Sequence, residues 1–244
     1  MNTAIIVQAR MGSSRLPGKV LLPIMGRPVL EYELERLCRA EAADVVIVAT
    51  TTNAADQAIE DLAARLRIPC FRGSEFDVLS RYYFAANEHG AETVVRCNAD
   101  CPLIDPEVVD RVITAYKVNS GTCDYASNIL KPTFPTGMHT EAFSFEALEQ
   151  AYLNAVDPLE REHVTPYIYR RPDTFSLHNV ALDQDLSWHR WTLDLAEDME
   201  LIKRIYEALY PTNPSFGMGD VLDLLDRHAD WPMINGHIQK RATV

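Results

Sequence analysis

The chain has 244 residues, 47% of them hydrophobic, which is enough apolar material for one sizeable packed domain. Acidic residues outnumber basic ones by 35 to 23, and the formal net charge of -12 repels polyanions at long range, which speaks against a nucleic-acid-binding role. Neither a run of 18 apolar residues nor a basic leader with a cleavage site is present, so membrane insertion and export are not indicated and a cytoplasmic location is expected.

In chain order, Ala4 to Val7 is an apolar strand that runs into a basic, glycine-punctuated loop. Pro28 to Cys38 sets Leu30, Leu34, Leu37 and Cys38 on one helical face, with proline in the first turn. Asp44 to Ala49 is β-branched and unalternating, the pattern of a strand covered on both faces. Ala54 to Leu66 reads as a helix, Pro69 to Phe71 as a short strand, Phe76 to Glu88 as a helix, and Thr93 to Arg96 as another buried strand. This rhythm predicts an α/β fold, one domain over 1–244 with a doubly wound, mostly parallel sheet whose ligands sit at the carboxyl ends of its strands. From Cys123 the pattern changes. Residues 124–144, broken by Pro132, Pro135 and Gly137, predict a β-rich arm leaving the main sheet, followed by a helix over 145–153 and another opened by Arg161 to His163. Ser187 to Asp194 predicts a strand, and Ala196 to Leu209 and Met218 to Arg227 predict helices. The five cysteines are an odd number without C-x-x-C spacing, which fits reduced, buried thiols better than disulfides or structural zinc.

None of the acidic residues falls in the first 30 positions, which hold Arg10, Arg15, Lys19 and Arg27. In so acidic a chain, binding a polyanion demands a local cluster of positive charge with amides aimed inward, and the loop RMGSSRLPGK at 10–19 reads as a seat for a triphosphate. Gly12 and Gly18 permit close backbone approach, Ser13 and Ser14 add hydroxyls, and Pro17 stiffens the turn. Neither a G-x-G-x-x-G nor a Walker pattern is present. The plainer alternative is a strand-to-helix connection with solvated arginines.

Five blocks in order, QARMGSSRLPGKVL, RGSEFDVLSRYYFAA, RCNADCPLIDP, REHVTPYIY and RWTLDLAEDMELI, resemble the cytidylyltransferases that activate acidic sugars, most closely the branch typified by a spore-coat polysaccharide protein. The resemblance implies a nucleotide-diphospho-sugar-transferase-like fold, Mg²⁺-dependent transfer of CMP from CTP to a small acidic acceptor with release of pyrophosphate, and a homodimer. It places charge neutralisation on Arg10, Arg15 and Lys19, and metal binding on Asp100 and Asp194. It places the nucleotide around Ala9, Gly12, Ser13, Thr50, Arg72, Gly73, Ser74, Asp77 and Asn98, and gives an arm at about 124–170 to the acceptor and to dimer contacts. Within that arm His139, Glu141, Arg161 and His163 are candidate acceptor ligands. The attacking oxygen belongs to the substrate, so no enzyme nucleophile is needed.

Other roles stay open for several of these residues. Asp100 also suits a turn and Asp194 a helix cap. Arg81 has Asp77 one helical turn away and Arg72 also suits a structural role. The family's sugar-acid members show a GDEP-type motif where this chain has Ala99-Asp100-Cys101-Pro102, which bears on the substrate class. A glycosyltransferase of the same architecture would use Asp183-Gln184-Asp185 as a metal clamp, and a non-catalytic nucleotide-binding module would need no metal at all.

Overall fold

The computed structural model describes residues 2–119 and 121–238. Its main sheet has seven strands: β1 (Thr3–Gln8), β4 (Val45–Thr51), β5 (Cys70–Gly73), β6 (Thr93–Asn98), β7 (Tyr125–Ser127), β8 (Glu141–Ser144) and β9 (Leu177–Asn179), in the order β5-β4-β1-β6-β8-β7-β9. Strands β2 (Pro23–Ile24) and β3 (Arg27–Pro28) form a separate small hairpin. The helices are α1 (Val29–Leu37), α2 (Gln57–Leu66), α3 (Val78–Glu88), α4 (Pro106–Val118), α5 (Phe145–Asn154), α6 (Pro158–His163), α7 (Pro166–Tyr169), α8 (Ala196–Leu209), α9 (Met218–Arg227) and α10 (Met233–Gly236).

β1 shows why the sheet is doubly wound. Ile5 and Val7 join a core with α1, α2, α4, α8 and α9, whereas Ala4 and Ile6 face a second core with α3, α5 and α7. A strand apolar on both faces suits a parallel sheet flanked by helices. β1 pairs in parallel with β4 on one side and β6 on the other, so the chain reverses direction across the sheet at β1. The carboxyl ends of these strands frame the crevice where open α/β sheets bind ligands.

Four expectations need correction. The cysteines are not all buried: Cys38 is exposed and Cys70 half-buried, leaving Cys97, Cys101 and Cys123 inside. The segment 124–144 does not leave the main sheet: β8 pairs antiparallel with β6, and β7 pairs with β8. Phe143, Ala142 and Tyr125 are fully buried there, and central sheet positions are what bury them. Residues 187–194 form no strand. Trp191 N–H bonds to Thr136 O at 2.7 Å while Leu193 N–H bonds to Asp100 O at 2.7 Å, so the segment divides its backbone between two partners and builds no ladder. Gly137 (φ +107°) permits this approach, since a Cβ there would lie 2.7 Å from the Trp191 carbonyl carbon. Helix α4, which the periodicity reading passed over, starts at Pro106 after Asp105, whose carboxylate accepts the Glu107 N–H at 2.8 Å.

Candidate active site

The basic loop is pinned at both ends. Buried Asp56 accepts the Met11 N–H at 2.7 Å and the Thr51 hydroxyl, tying the loop to the end of β4. Gly18 takes the left-handed conformation (φ 69°), and its N–H closes the turn onto Met11 O at 3.0 Å. The loop therefore projects Lys19 inward. Its Nζ donates to Asp100 Oδ2 at 2.7 Å, to Leu193 O at 2.8 Å and to Asp194 Oδ1 at 2.9 Å. Arg15 reaches the same Asp194 oxygen at 2.7 Å. Behind Asp194, Asp198 accepts the N–H groups of Asp194 and Leu195 at 2.9 and 3.0 Å and is gripped by both arms of Arg190. Asp198 thereby fixes the turn that presents Asp194.

Burial works against both charges of this cluster, and their mutual attraction outweighs it. Desolvation lowers the Lys19 ammonium, but Asp100 and Asp194 leave it above its ordinary value. Desolvation raises the Asp194 carboxyl, but Lys19, Arg15 and Arg190 leave it below its ordinary value. Linkage then gives the sign of the pH dependence. The stability that Asp194 contributes is present above the unfolded carboxylate value of about 3.9 and is lost as pH falls through the lower folded one. The Lys19 contribution is lost only as pH rises through its raised value. Asp194→Asn is expected to flatten part of the acid-side fall in melting temperature, and identical acid limbs in thermal melts of both proteins would remove Asp194 from this linkage.

The Asp100 turn rests on the buried Glu33 side chain. Glu33 of α1 accepts the Cys101 N–H at 3.0 Å, and burial, aided by the charge of Asp100, holds its carboxyl well above the usual range. Burial likewise raises the Cys101 thiol, whose Sγ lies 3.5 Å from Asp100 Oδ1. Cys101 is thus a neutral neighbour of Asp100.

Of two cavities that share His163 as a lining residue, the larger adjoins this cluster. The larger, about 680 Å³, is lined by Arg15, Asp100, Asp194 and Asn98 together with Arg96, His139, Glu141 and Arg190. At its base Glu141, 2% exposed, pairs with Arg96 and accepts the hydroxyls of Tyr125 at 2.7 Å and Thr165 at 2.5 Å. Burial holds the His163 imidazole below its ordinary value, against the opposing pull of Glu162. The smaller cavity, about 210 Å³, is bounded by Gln8, Ala9, Arg10, Phe76 and Arg81. Among the described residues, Gln8 Oε1, Asn98 Oδ1, Arg96 Nε, and Arg81 Nε and Nη1 are buried without a hydrogen-bond partner. Such atoms are costly in a folded protein and mark places where a ligand's polar groups fit.

Residues 4–211 match the cytidylyltransferase family. The chain belongs to that family. It is 32% identical to a cytidylyltransferase of Leptospira borgpetersenii of known structure, with a TM-score of 0.91 covering 99% of this chain and 100% of that one. It is 29% identical to the spore coat polysaccharide biosynthesis protein SpsF of Bacillus subtilis, over 92% of this chain and 94% of the relative. It is 27% identical to a 3-deoxy-manno-octulosonate cytidylyltransferase of Chlamydia trachomatis, over 81% of this chain and 79% of that enzyme.

In this cytidylyltransferase the residues singled out in the sequence divide into two groups. Arg15, Lys19, Asp100 and Asp194 meet around one ammonium, and Asn98, His139, Glu141 and His163 line the cavity beside it. Ala9 and Arg10 border the smaller cavity, where Arg10 lies 3.9 Å from Glu75. His139 lies just before β8 and shares the larger cavity with Glu141, the first residue of that strand. Gly12 and Ser13 lie in the pinned loop outside both linings, Ser13 Oγ accepting the Leu16 N–H at 3.3 Å. Thr50 is fully buried within β4. Arg72 is spent on Thr51 O, Asn53 O, Gln57 and Glu60 at 2.7 to 2.9 Å, and lines neither cavity. A Cβ at Gly73 would stand 2.9 Å from Arg81 Cγ, so this glycine makes room for Arg81. Ser74 accepts the Asp77 N–H at 3.1 Å. Asp77 caps α3 and pairs with Arg161 instead of Arg81, and Arg161 is held there, outside both cavities, also donating to Tyr152 O at 2.6 Å. Asp183 and Asp185 are exposed and line neither cavity, and Asp185 accepts at 2.9 Å the N–H of Ser187, which lines the larger one.

Gln8, Arg96, Arg190 and Asp198 were not marked by motif reasoning. A charged residue in the apolar run VVRCN was the available signal for Arg96, and the spacing from Arg190 to Asp194 and Asp198 was the signal for the last pair.

Proposed function

We propose that this cytidylyltransferase transfers CMP from CTP to an oxygen of an acidic sugar or a related acidic acceptor, releasing pyrophosphate, with Mg²⁺ as its divalent ion. The observation that carries the reading is the convergence of Lys19, Arg15, Asp100 and Asp194 beside a large cavity containing Arg96, Arg190 and His139, which shares His163 with a small cavity holding unpartnered polar atoms. The smaller takes the base. The larger takes the acceptor, whose negative charge is met by Arg96 Nε and Arg190.

Charge counting supports the metal. Arg10, Arg15, Lys19 and Arg190 are balanced by Glu75, Asp100, Asp194 and Asp198, so the site is close to neutral before a polyanion enters. Asp100 Oδ2 and Asp194 Oδ1 both lie within 3 Å of one point, the Lys19 Nζ, and present hard oxygen donors there. No group of three or more metal-ligating side chains occurs among the described residues. Two carboxylates, completed by phosphate and water, are what Mg²⁺ usually takes from a protein. When bound, the ion neutralises phosphoryl charge and aligns triphosphate with acceptor.

Arg10, Arg15 and Lys19 then grip the phosphate oxygens and stabilise the departing pyrophosphate, the guanidinium forks in bidentate fashion. Asp198 and Glu33 hold the two aspartate turns still, so that little reorganisation remains for the reacting state. Exposed Leu153 of α5, Val156 between the two helices and Leu159 of α6 supply apolar surface for a homodimer. The test is pyrophosphate release with each of the four nucleoside triphosphates against a panel of acidic sugars, with Mg²⁺ or with chelator. The expected result is release with CTP, an acidic sugar and Mg²⁺ together. Turnover of a nucleotide sugar without pyrophosphate would replace the reading with that of a glycosyltransferase.

A further inference from the structure

The geometry points to Phe76 as the aromatic face on which the base of the bound nucleotide stacks, an inference that rests on the reading of the 210 Å³ cavity as the base seat. Phe76 is 86% exposed, and a single exposed apolar side chain carries no meaning by itself. Its place does. It stands on the rim of a cavity whose wall includes the buried Ala9 and Val78, and whose unpartnered polar atoms are the Arg81 donors Nε and Nη1 and the Gln8 acceptor Oε1. A donor group and an acceptor group held in a narrow cavity suit a planar ring that offers acceptors and an amino group along one edge, as cytosine does. A ring read along its edge leaves its faces to be covered. Ala9 and Val78 provide apolar wall from within, and the other rim residues, Arg10, Glu75, Glu162 and His163, are polar or charged.

The backbone that carries the ring is braced from behind. Asp77 N–H bonds to Ser74 Oγ at 3.1 Å, Asp77 Oδ1 accepts the Ser80 N–H at 2.9 Å, and Arg161 clasps the same carboxylate with two nitrogens. Phe76 sits inside this braced turn, so the backbone carrying it is ordered before a nucleotide arrives and little ordering entropy is lost on stacking. The braces also give Asp77 and Arg161 a purpose outside both cavities.

The experiment is calorimetric titration of CTP and of inorganic tripolyphosphate, each with Mg²⁺, into the wild type, Phe76→Ala and Phe76→Trp. Tripolyphosphate engages the cationic loop without a base. Phe76→Ala is expected to weaken CTP by about tenfold, the lower end of what removing one base-stacking ring costs, and to leave tripolyphosphate unchanged. Phe76→Trp is expected to keep CTP affinity, with the added indole emission quenched by CTP and not by tripolyphosphate. Wild-type affinity for CTP in Phe76→Ala, or equal losses for both ligands, overturns the assignment while leaving the base seat standing. A wild type that binds CTP no better than tripolyphosphate overturns the base seat and the assignment together.

Discussion

Asp100→Asn is expected to lower turnover by at least about a hundredfold, the scale of removing one preorganised charge from a phosphoryl-transfer site, while leaving the fold in place. The two halves of this expectation have separate causes. Asp100 is a quarter exposed, and Lys19 keeps its bonds to Asp194 and to Leu193 O when the charge is removed, so no ammonium is stranded. Asparagine retains the size of the side chain, and the Glu33 anchor bonds the Cys101 backbone, which the substitution leaves alone. Chemistry suffers differently. With one of two converging carboxylates neutral, the remaining oxygen set holds a divalent ion less well, and the balance of four cations against four carboxylates tips toward positive. Pyrophosphate release across a Mg²⁺ titration, set beside a thermal melt, separates these effects. Wild-type turnover would remove Asp100 from the metal site, and a collapsed melt would make it a structural residue.

What the sequence made legible follows the range of the interactions involved. β1, β4 and β6 were readable because a strand buried on both faces must be apolar throughout, and the basic loop was readable because its composition departs so sharply from the acidic remainder. Local caps were readable in principle: Asp105 followed by Pro106 announces α4, yet the same two residues closed a motif that drew the reading elsewhere. The 187–194 segment looked like a strand because Trp191 and Leu193 alternate with polar residues, but its alternation reflects packing between Thr136 and Asp100 and no ladder. Long-range closures were beyond reach. Lys19 meets Asp194 across 175 positions and Glu33 meets Cys101 across 68, and nothing in either local segment records the other. For the same reason Arg161, near a histidine in a plausible acceptor motif, turned out to brace Asp77 on another helix. The chain's Cys101, which departs from the GDEP-type pattern, acquires a rationale only with Glu33 in view: a carboxyl group still stands beside the Asp100 turn, but it comes from α1, where burial pushes it well above the usual carboxyl range.

Arg96→Met is expected to produce the largest loss of stability, about 3 to 5 kcal/mol, because it strands the charge of Glu141. Glu141 is 2% exposed, and the Arg96 side chain 12%, so the cavity water beside them solvates the carboxylate only weakly when the guanidinium is gone. Tyr125 and Thr165 still donate to Oε2, and burial together with the Glu141 charge keeps the Tyr125 phenol far from ionising, so those hydrogen bonds persist. Two neutral donors solvate a carboxylate without cancelling its charge. Arg96→Met with Glu141→Gln removes both charges and retains an oxygen for the two hydroxyls, so the double variant is expected to recover most of the loss, since replacing both members of a buried pair is far cheaper than breaking it. For a domain of this size the single change corresponds to a fall of roughly 10 °C in Tm. Denaturant unfolding of the two single variants and the double one closes a cycle whose coupling isolates the pair. Additive losses would mean that Arg96 and Glu141 do not act as a unit. Strong coupling would show that the larger cavity is floored by a self-neutralised pair, leaving Arg96 Nε, which has no partner among the described residues, for the proposed acceptor.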